Sequence, residues 1–209
     1  MPEAYGLYVV MTNPVVGYER CAEAAVAEGV RYVQLRMKNA PRTEVLDTAH
    51  AVRAVTVGSG TRFIVNDDVS VAMEVDADGV HLGRSDMPLD EARALWDTPG
   101  KIFGLSTHSE EQQREAYALR PDYIGIGPIH ATPTKVIPDP VIGYERMERM
   151  VATCPLEYVC IGGITLGNLD NLLKRGVENI CSVRPIMQSD SPRDVIRTFM
   201  DRCRSHPAG

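Results

Sequence analysis

Two hydrophobic periods take turns along this chain. Short apolar runs fall at residues 7–11, 32–38, 63–65, 79–82, 102–105, 123–126, 158–161 and 179–183. Glycine, proline or small polar residues bound them, as expected of buried strands. Between the runs lie stretches with helical spacing at 18–28, 41–57, 69–75, 88–96, 109–119, 143–153, 169–174 and 192–204. Local signals agree with these limits. Gly29 and Gly176 follow helical stretches, Pro88 opens one, and Ser109 with Gln112 has the spacing of a capping box. A strand and a helix thus alternate about eight times, which predicts an α/β fold, a single (β/α)8 TIM barrel. The competing architecture, a doubly wound open sheet, would be supported by a G-x-G-x-x-G turn after the first strand, and none occurs there. A length of 209 residues suits one such domain over residues 1–209, with a tail at 205–209 expected to fray.

In such a barrel the chemistry gathers where the strands end, in the loops that follow them. Polar residues stand at nearly all of these ends: Thr12 and Asn13; Gln34, Arg36 and Lys38; Asn66, Asp67 and Asp68; His81, Arg84, Ser85 and Asp86; Ser106, Thr107 and His108; Ser182 and Arg184. The sixth strand runs into Gly127-Pro128-Ile129-His130-Ala131-Thr132-Pro133-Thr134-Lys135, a loop stiffened by prolines that carries two hydroxyls and a cation. That combination suits an anion.

Gln34, Arg36 and Lys38 share one face of a strand, because side chains alternate with period two. Their neighbours Val33, Leu35 and Met37 face the helices, so the polar face lines the barrel near its mouth. Two buried cations there need anions. Either acids at the ends of the third and fourth strands supply them, or a multiply charged ligand such as a pyrophosphate does. Asp67 and Asp86 end adjacent strands. Two neighbouring carboxylates repel unless a cation or proton lies between them, and oxygen ligands of this kind suit Mg²⁺. Each also precedes a helix that it could cap, although Asp68 is better placed to cap the third. Gly162-Gly163 is either a phosphate-approaching turn or a simple tight turn. His81, on a strand, is either a satisfied core histidine or a ligand contact.

Composition narrows the partners. A net charge of −6 argues against a nucleic-acid binder with a basic surface. Five cysteines without a C-x-x-C pair read as reduced thiols of a cytoplasmic protein. The first residues lack the basic and apolar regions of a signal peptide, and no apolar run is long enough to cross a bilayer. The expected partners are small phosphorylated molecules rather than nucleic acid or membrane, with a homo-oligomer left open.

Taken together, Gln34-Leu35-Arg36-Met37-Lys38, Asn66-Asp67, Gly79-Val80-His81-Leu82-Gly83 with Asp86, Ser106-Thr107-His108, Gly127-Pro128-Ile129 with Thr132-Pro133-Thr134-Lys135, and Ile161-Gly162-Gly163-Ile164 resemble the thiamine-phosphate synthase family, in order along nearly the whole chain. The resemblance implies a Mg²⁺-dependent transferase. Hydroxymethylpyrimidine pyrophosphate would ionise to a pyrimidine-methyl cation and pyrophosphate, and the nitrogen of a thiazole phosphate, or of its carboxylated form, would capture the cation. By position, Gln34, Leu35, Arg36, Met37, Lys38, Asn66, His81, Ser106 and Lys135 would hold the pyrimidine pyrophosphate, with Arg36, Lys38, Ser106 and Lys135 in catalytic roles. Asp67 and Asp86 would bind Mg²⁺. Thr132, Pro133, Thr134, Gly163, Val183 and Arg184 would hold the thiazole phosphate. The chain departs from the family at Ser182-Val183-Arg184-Pro185-Ile186, where Val-Val-Ser-Ala-Ile is usual, at Thr12-Asn13, where Thr-Asp is common, and at Met37, where Glu is common. A thiazole tautomerase on the same barrel, which needs neither the aspartate pair nor the Thr-Pro-Thr-Lys loop, is one rival reading. A non-catalytic ligand-binding barrel is the other.

Overall fold

A computed structural model describes residues 4–132 and 139–206. Pro133, Thr134 and Lys135 lie outside the described residues, as do residues 207–209 of the tail. Eight strands alternate with helices: β1 Gly6–Met11, α1 Tyr18–Ala27, β2 Tyr32–Leu35, α2 Arg42–Thr56, β3 Arg62–Asn66, α3 Val69–Glu74, β4 Gly79–Leu82, α4 Leu89–Leu95, β5 Ile102–Thr107, α5 Glu110–Leu119, β6 Tyr123–Ile126, α6 Gly143–Ala152, β7 Glu157–Ile161, α7 Leu169–Leu173, β8 Asn179–Ser182, α8 Arg184–Met187 and α9 Pro192–Arg204. All strand pairs are parallel, and β8 returns to pair with β1. The expected (β/α)8 barrel is therefore the observed fold.

Alternation within each strand makes two cores. Leu7, Val9, Val33, Leu35, Phe63 and Val65 face outward into the layer shared with the helices. Tyr8, Val10, Tyr32, Ile64, Tyr123, Val159 and Cys181 fill the barrel itself. The interior is unusually aromatic. Tyr8 stacks on Tyr32 at 5.4 Å between ring centroids, and Tyr32 stacks on Tyr123 at 5.7 Å.

Three elements differ from the sequence-based reading. β2 stops at Leu35 rather than Lys38. Its outgoing neighbour β1 ends at Met11, whose carbonyl takes the Arg36 amide at 2.9 Å, and Asn39 then turns the chain with φ of 66°. β8 ends at Ser182, and Val183 caps a helix, α8, that the pattern does not predict. Four residues with Pro185 at the start look like a chain break in a periodicity search. Two caps follow the expectation. Asp68 accepts the Val71 amide at 2.9 Å, and Ser109 accepts that of Gln112 at 3.2 Å. Asp86 caps no helix, and instead takes the Gly83 amide at 2.7 Å.

The lower rim, where the strands begin, is tied by a repeated device. A polar side chain at the start of one strand receives the first amides of its neighbour. Asp78 accepts from Phe63, Asp122 from Phe103, both at 2.8 Å, and Asn179 from Tyr5 and Gly6. Asp78 also pairs with Arg53 and Arg62. Asp78→Ala leaves a partly buried strand amide unpaired, and should cost about 1–3 kcal/mol. The measurement is urea denaturation, with an earlier midpoint at an unchanged slope.

Candidate active site

The upper rim is where strands β2 to β5 end. Parallel register sets Asn66 of β3 beside His81 of β4, and His81 beside Gly104 of β5. The Asp67 amide donates to the His81 carbonyl at 2.8 Å, which carries the β3–β4 ladder one residue past the strand. Asp67 itself has φ of 66°, the left-handed region that Asp and Asn tolerate better than most residues. Bending the backbone there brings its carboxylate beside that of Asp86. Burial pushes the Asp67 carboxyl above its ordinary value, the Lys38 ammonium pulls it down, and the Asp86 charge pushes it up again. Lys38 Nζ donates to Asp67 Oδ2. Arg36 is half-buried nearby. Burial lowers its pKa, and the charge of Asp67 opposes that shift. The two carboxylates and two cations therefore form one electrostatic unit at the mouth.

The position of Lys38 corrects the expectation of two buried cations. Its side chain is 49% exposed, because the strand that would have buried it ends at Leu35. It makes the ion pair that the sequence leaves as one of two alternatives. Leu35 and Met37 face the helices, as the alternation predicts. Leu35 is buried in the outer core and Met37 packs against that core, so neither side chain faces the mouth. Gln34 does point inward, is 4% exposed, and donates through Nε2 to the Tyr8 hydroxyl at 2.9 Å. His81 and Ser106 meet at 2.9 Å between Nε2 and Oγ.

On the opposite side of the mouth, the loop after β6 leans on the turn after β7. Ile129 and His130 donate their amides to the carbonyls of Ile161 and Gly162 at 2.9 and 3.1 Å. Gly162 and Gly163 have φ of 108° and 61°, and a Cβ on them would come within 2.5 Å of Pro128 and 2.7 Å of the His130 Cβ. These glycines are required by that contact whatever else they bind. Ser182 donates to the Ile164 carbonyl at 2.9 Å and so joins the end of β8 to the same turn. Thr132 is half-buried at the edge of the described loop. Val183 is half-buried, while Arg184 is exposed and directed along α8 to Gln188 at 3.4 Å.

His108, which the sequence places at the end of the fifth strand without a role of its own, has a clear place here. Its Nδ1 lies 2.6 Å from the Gly127 carbonyl and its Nε2 3.5 Å from Asp139. It therefore touches both flanks of residues 128–138. Tyr8 and Tyr123 were also missed, because in an apolar run a tyrosine counts as a hydrophobe. Their hydroxyls lie 2.8 Å apart in the barrel centre. The signal available was that both stand on the inward parity of their strands, where a phenol must find a partner.

Among the described residues no group of three or more His, Cys, Asp and Glu side chains gathers as a metal site. The Asp67–Asp86 pair is a donor set for a hard cation that takes one or two carboxylates and fills its shell with water and phosphate oxygens. Burial first, and the Asp86 carboxylate after it, raise the Asp67 carboxyl, and a bound cation would relieve the repulsive part. No helix among the described residues is long and apolar enough to cross a membrane.

The chain is also similar to known proteins. The family model described as thiamine monophosphate synthase matches residues 7–186. A thiamine-phosphate synthase of Gloeobacter violaceus is 42% identical over 196 residues, covering 94% of this chain but 57% of its own length. One of Vibrio parahaemolyticus is 40% identical over 191 residues, covering 90% of this chain and 93% of its own. The solved structure of a thiamine phosphate pyrophosphorylase from Pyrococcus furiosus superposes with a TM-score of 0.84 at 31% identity, covering 95% of this chain and 96% of that one. With strand ends, sequence motifs and relatives in agreement over nearly its whole length, this chain belongs to the thiamine monophosphate synthase family.

Proposed function

We propose that this chain is a transferase that joins hydroxymethylpyrimidine pyrophosphate to a thiazole phosphate, or its carboxylated form, giving thiamine phosphate and pyrophosphate. The observation that supports this most is the paired carboxylates of Asp67 and Asp86 beneath two cations, in a chain of this family. The tautomerase and binding-protein readings have no use for that pairing.

The reaction breaks the carbon–oxygen bond between the pyrimidine methylene and the pyrophosphate, and the electron pair leaves with the oxygen. The thiazole nitrogen then supplies the pair for the new carbon–nitrogen bond. A benzylic-type cation needs no acid to form when its leaving group is well neutralised, so catalysis rests on fixed positive charge around the departing pyrophosphate. Arg36 and Lys38 supply it from the turn after β2, and Lys135 supplies it from the loop after β6. Asp67 and Asp86 would hold Mg²⁺, which when bound neutralises phosphate oxygens. Gln34, Asn66, His81 and Ser106 orient the pyrimidine. Thr132, Pro133, Thr134, Gly163, Val183 and Arg184 receive the thiazole phosphate, where the Arg184 guanidinium offers a fork in place of a hydroxyl.

Purified protein given both phosphorylated precursors should form thiamine phosphate with Mg²⁺ and none with a chelator. Metal-independent product would remove Asp67 and Asp86 from their roles, and no product under either condition would defeat the reading itself. Asp67→Asn should lower turnover by about 100-fold or more without loss of stability, since Asn accepts the left-handed backbone. Asp67→Ala should add backbone strain of about 1 kcal/mol, so thermal denaturation separates the two variants. Asp86→Asn keeps an acceptor for the Gly83 amide and removes a like charge. In chelator it should raise the melting temperature by about 1–3 °C while turnover in Mg²⁺ collapses. A lower melting temperature would show that the two carboxylates do not repel.

A further inference from the structure

A continuous hydrogen-bonded chain crosses the barrel. It runs from Gln34 Nε2 to the Tyr8 hydroxyl at 2.9 Å, to the Tyr123 hydroxyl at 2.8 Å, to His81 Nδ1 at 3.0 Å, and from His81 Nε2 to Ser106 Oγ at 2.9 Å. Five strands contribute to it: β2, β1, β6, β4 and β5, which supplies the last hydroxyl. We propose that Tyr123, backed by Tyr8 and Gln34, is a positioning residue that holds His81 as the Nε2–H tautomer and thereby turns the Ser106 hydroxyl proton toward the ligand. This deepens the functional reading of the mouth, on which its substrate arm rests.

The argument is one of proton counting. An amide NH₂ can only donate, so Tyr8 accepts from Gln34. Each phenol has a single proton, and Tyr8 spends its own on Tyr123. Tyr123 then has its proton for His81, which makes Nδ1 the acceptor. In a neutral imidazole the other nitrogen must carry the hydrogen. His81 Nε2 therefore donates to Ser106, and the Ser106 proton is left to point away from His81. The opposite tautomer would use up that proton on the histidine and offer the ligand only lone pairs. The relay thus decides whether Ser106 recognises an acceptor atom or a donor atom of its substrate.

Packing holds the relay in place. The Tyr123 and His81 rings stack at 5.4 Å with 27° between planes. Tyr123 is fully buried, and burial holds its hydroxyl well above the ordinary phenol range, so it remains a donor. Gly104 on β5 makes the room. A Cβ there would come 2.2 Å from Tyr123 Cζ and 2.6 Å from His81 Nδ1, across the very bond that carries the proton.

The test needs no substrate. Long-range proton–nitrogen NMR on the ¹⁵N-labelled, substrate-free protein reads the tautomer of each of the five histidines, and His81 is identified by the signal lost in His81→Gln. The wild type should show Nε2 protonated and Nδ1 bare. A protonated Nδ1 in the wild type overturns the relay. Tyr123→Phe should replace the single tautomer by a mixture, and an unchanged Nε2–H signal would show that Tyr123 does not set it. In turnover assays Tyr123→Phe should raise KM for the pyrimidine pyrophosphate about tenfold, the ratio given by one hydrogen bond of about 1.4 kcal/mol. An unchanged KM beside a changed tautomer would remove Ser106 as the donor. If the wild type shows the expected tautomer but makes no thiamine phosphate, the relay stands and the substrate reading falls.

Discussion

Closure of eight short parallel strands is the constraint on which everything else rests. Once β8 pairs with β1, every strand residue is committed to one of two surfaces, and there is no edge through which a misfit can escape. The inward residues must fill a cylinder, and here much of the filling is tyrosine. Branched aliphatic side chains would fill it without further consequence. Phenols bring hydroxyls that cannot be left unpaired in a dry interior. Pairing those hydroxyls with Gln34 below the mouth and His81 at it turns a packing solution into a polar line from the barrel centre to the candidate site. The stiffness of the core and the orientation of the site side chains have the same cause.

Period-two alternation is also why so much was readable beforehand. It put Gln34 inside and Leu35 outside, and adjacency of consecutive parallel strands put Asp67 next to Asp86. What periodicity cannot see is where a strand ends, since that depends on its neighbour. β2 loses its partner when β1 stops, and Lys38 is consequently exposed rather than buried. Helix α8 was too short to show a period. His108 meets the Gly127 carbonyl just past the next strand, and a backbone partner leaves no mark in sequence. Tyr8 and Tyr123 were legible as core but not as polar core, because a hydrophobicity pattern treats a tyrosine as its ring alone.

The Lys38–Asp67 pair bears on how the mouth handles charge. An ion pair this open to water holds about 0–1 kcal/mol. Neither partner is committed by so small a sum, and the carboxylate remains open to exchange of one cation for another. The Asp67–Asp86 repulsion works in the same direction, because it keeps the pair short of positive charge even with Lys38 in contact. Arg36 is the half-buried cation of the unit and Lys38 the exposed one.

The departure at β8 can be weighed in the same terms. A serine at the first turn of α8 would be a short donor fixed to the backbone. Arg184 puts its charge at the end of a long side chain, and its contact with Gln188 is long, exposed and neutral on one side. Turning the guanidinium elsewhere costs little more than the rotamer freedom it gives up. A helix of four residues has no macrodipole worth the name to hold an anion in its stead. If Arg184 receives the thiazole phosphate as proposed, its positive charge comes from a long, loosely held side chain, which would make that anion position more adaptable, and less pre-shaped, than the aspartate-bearing side.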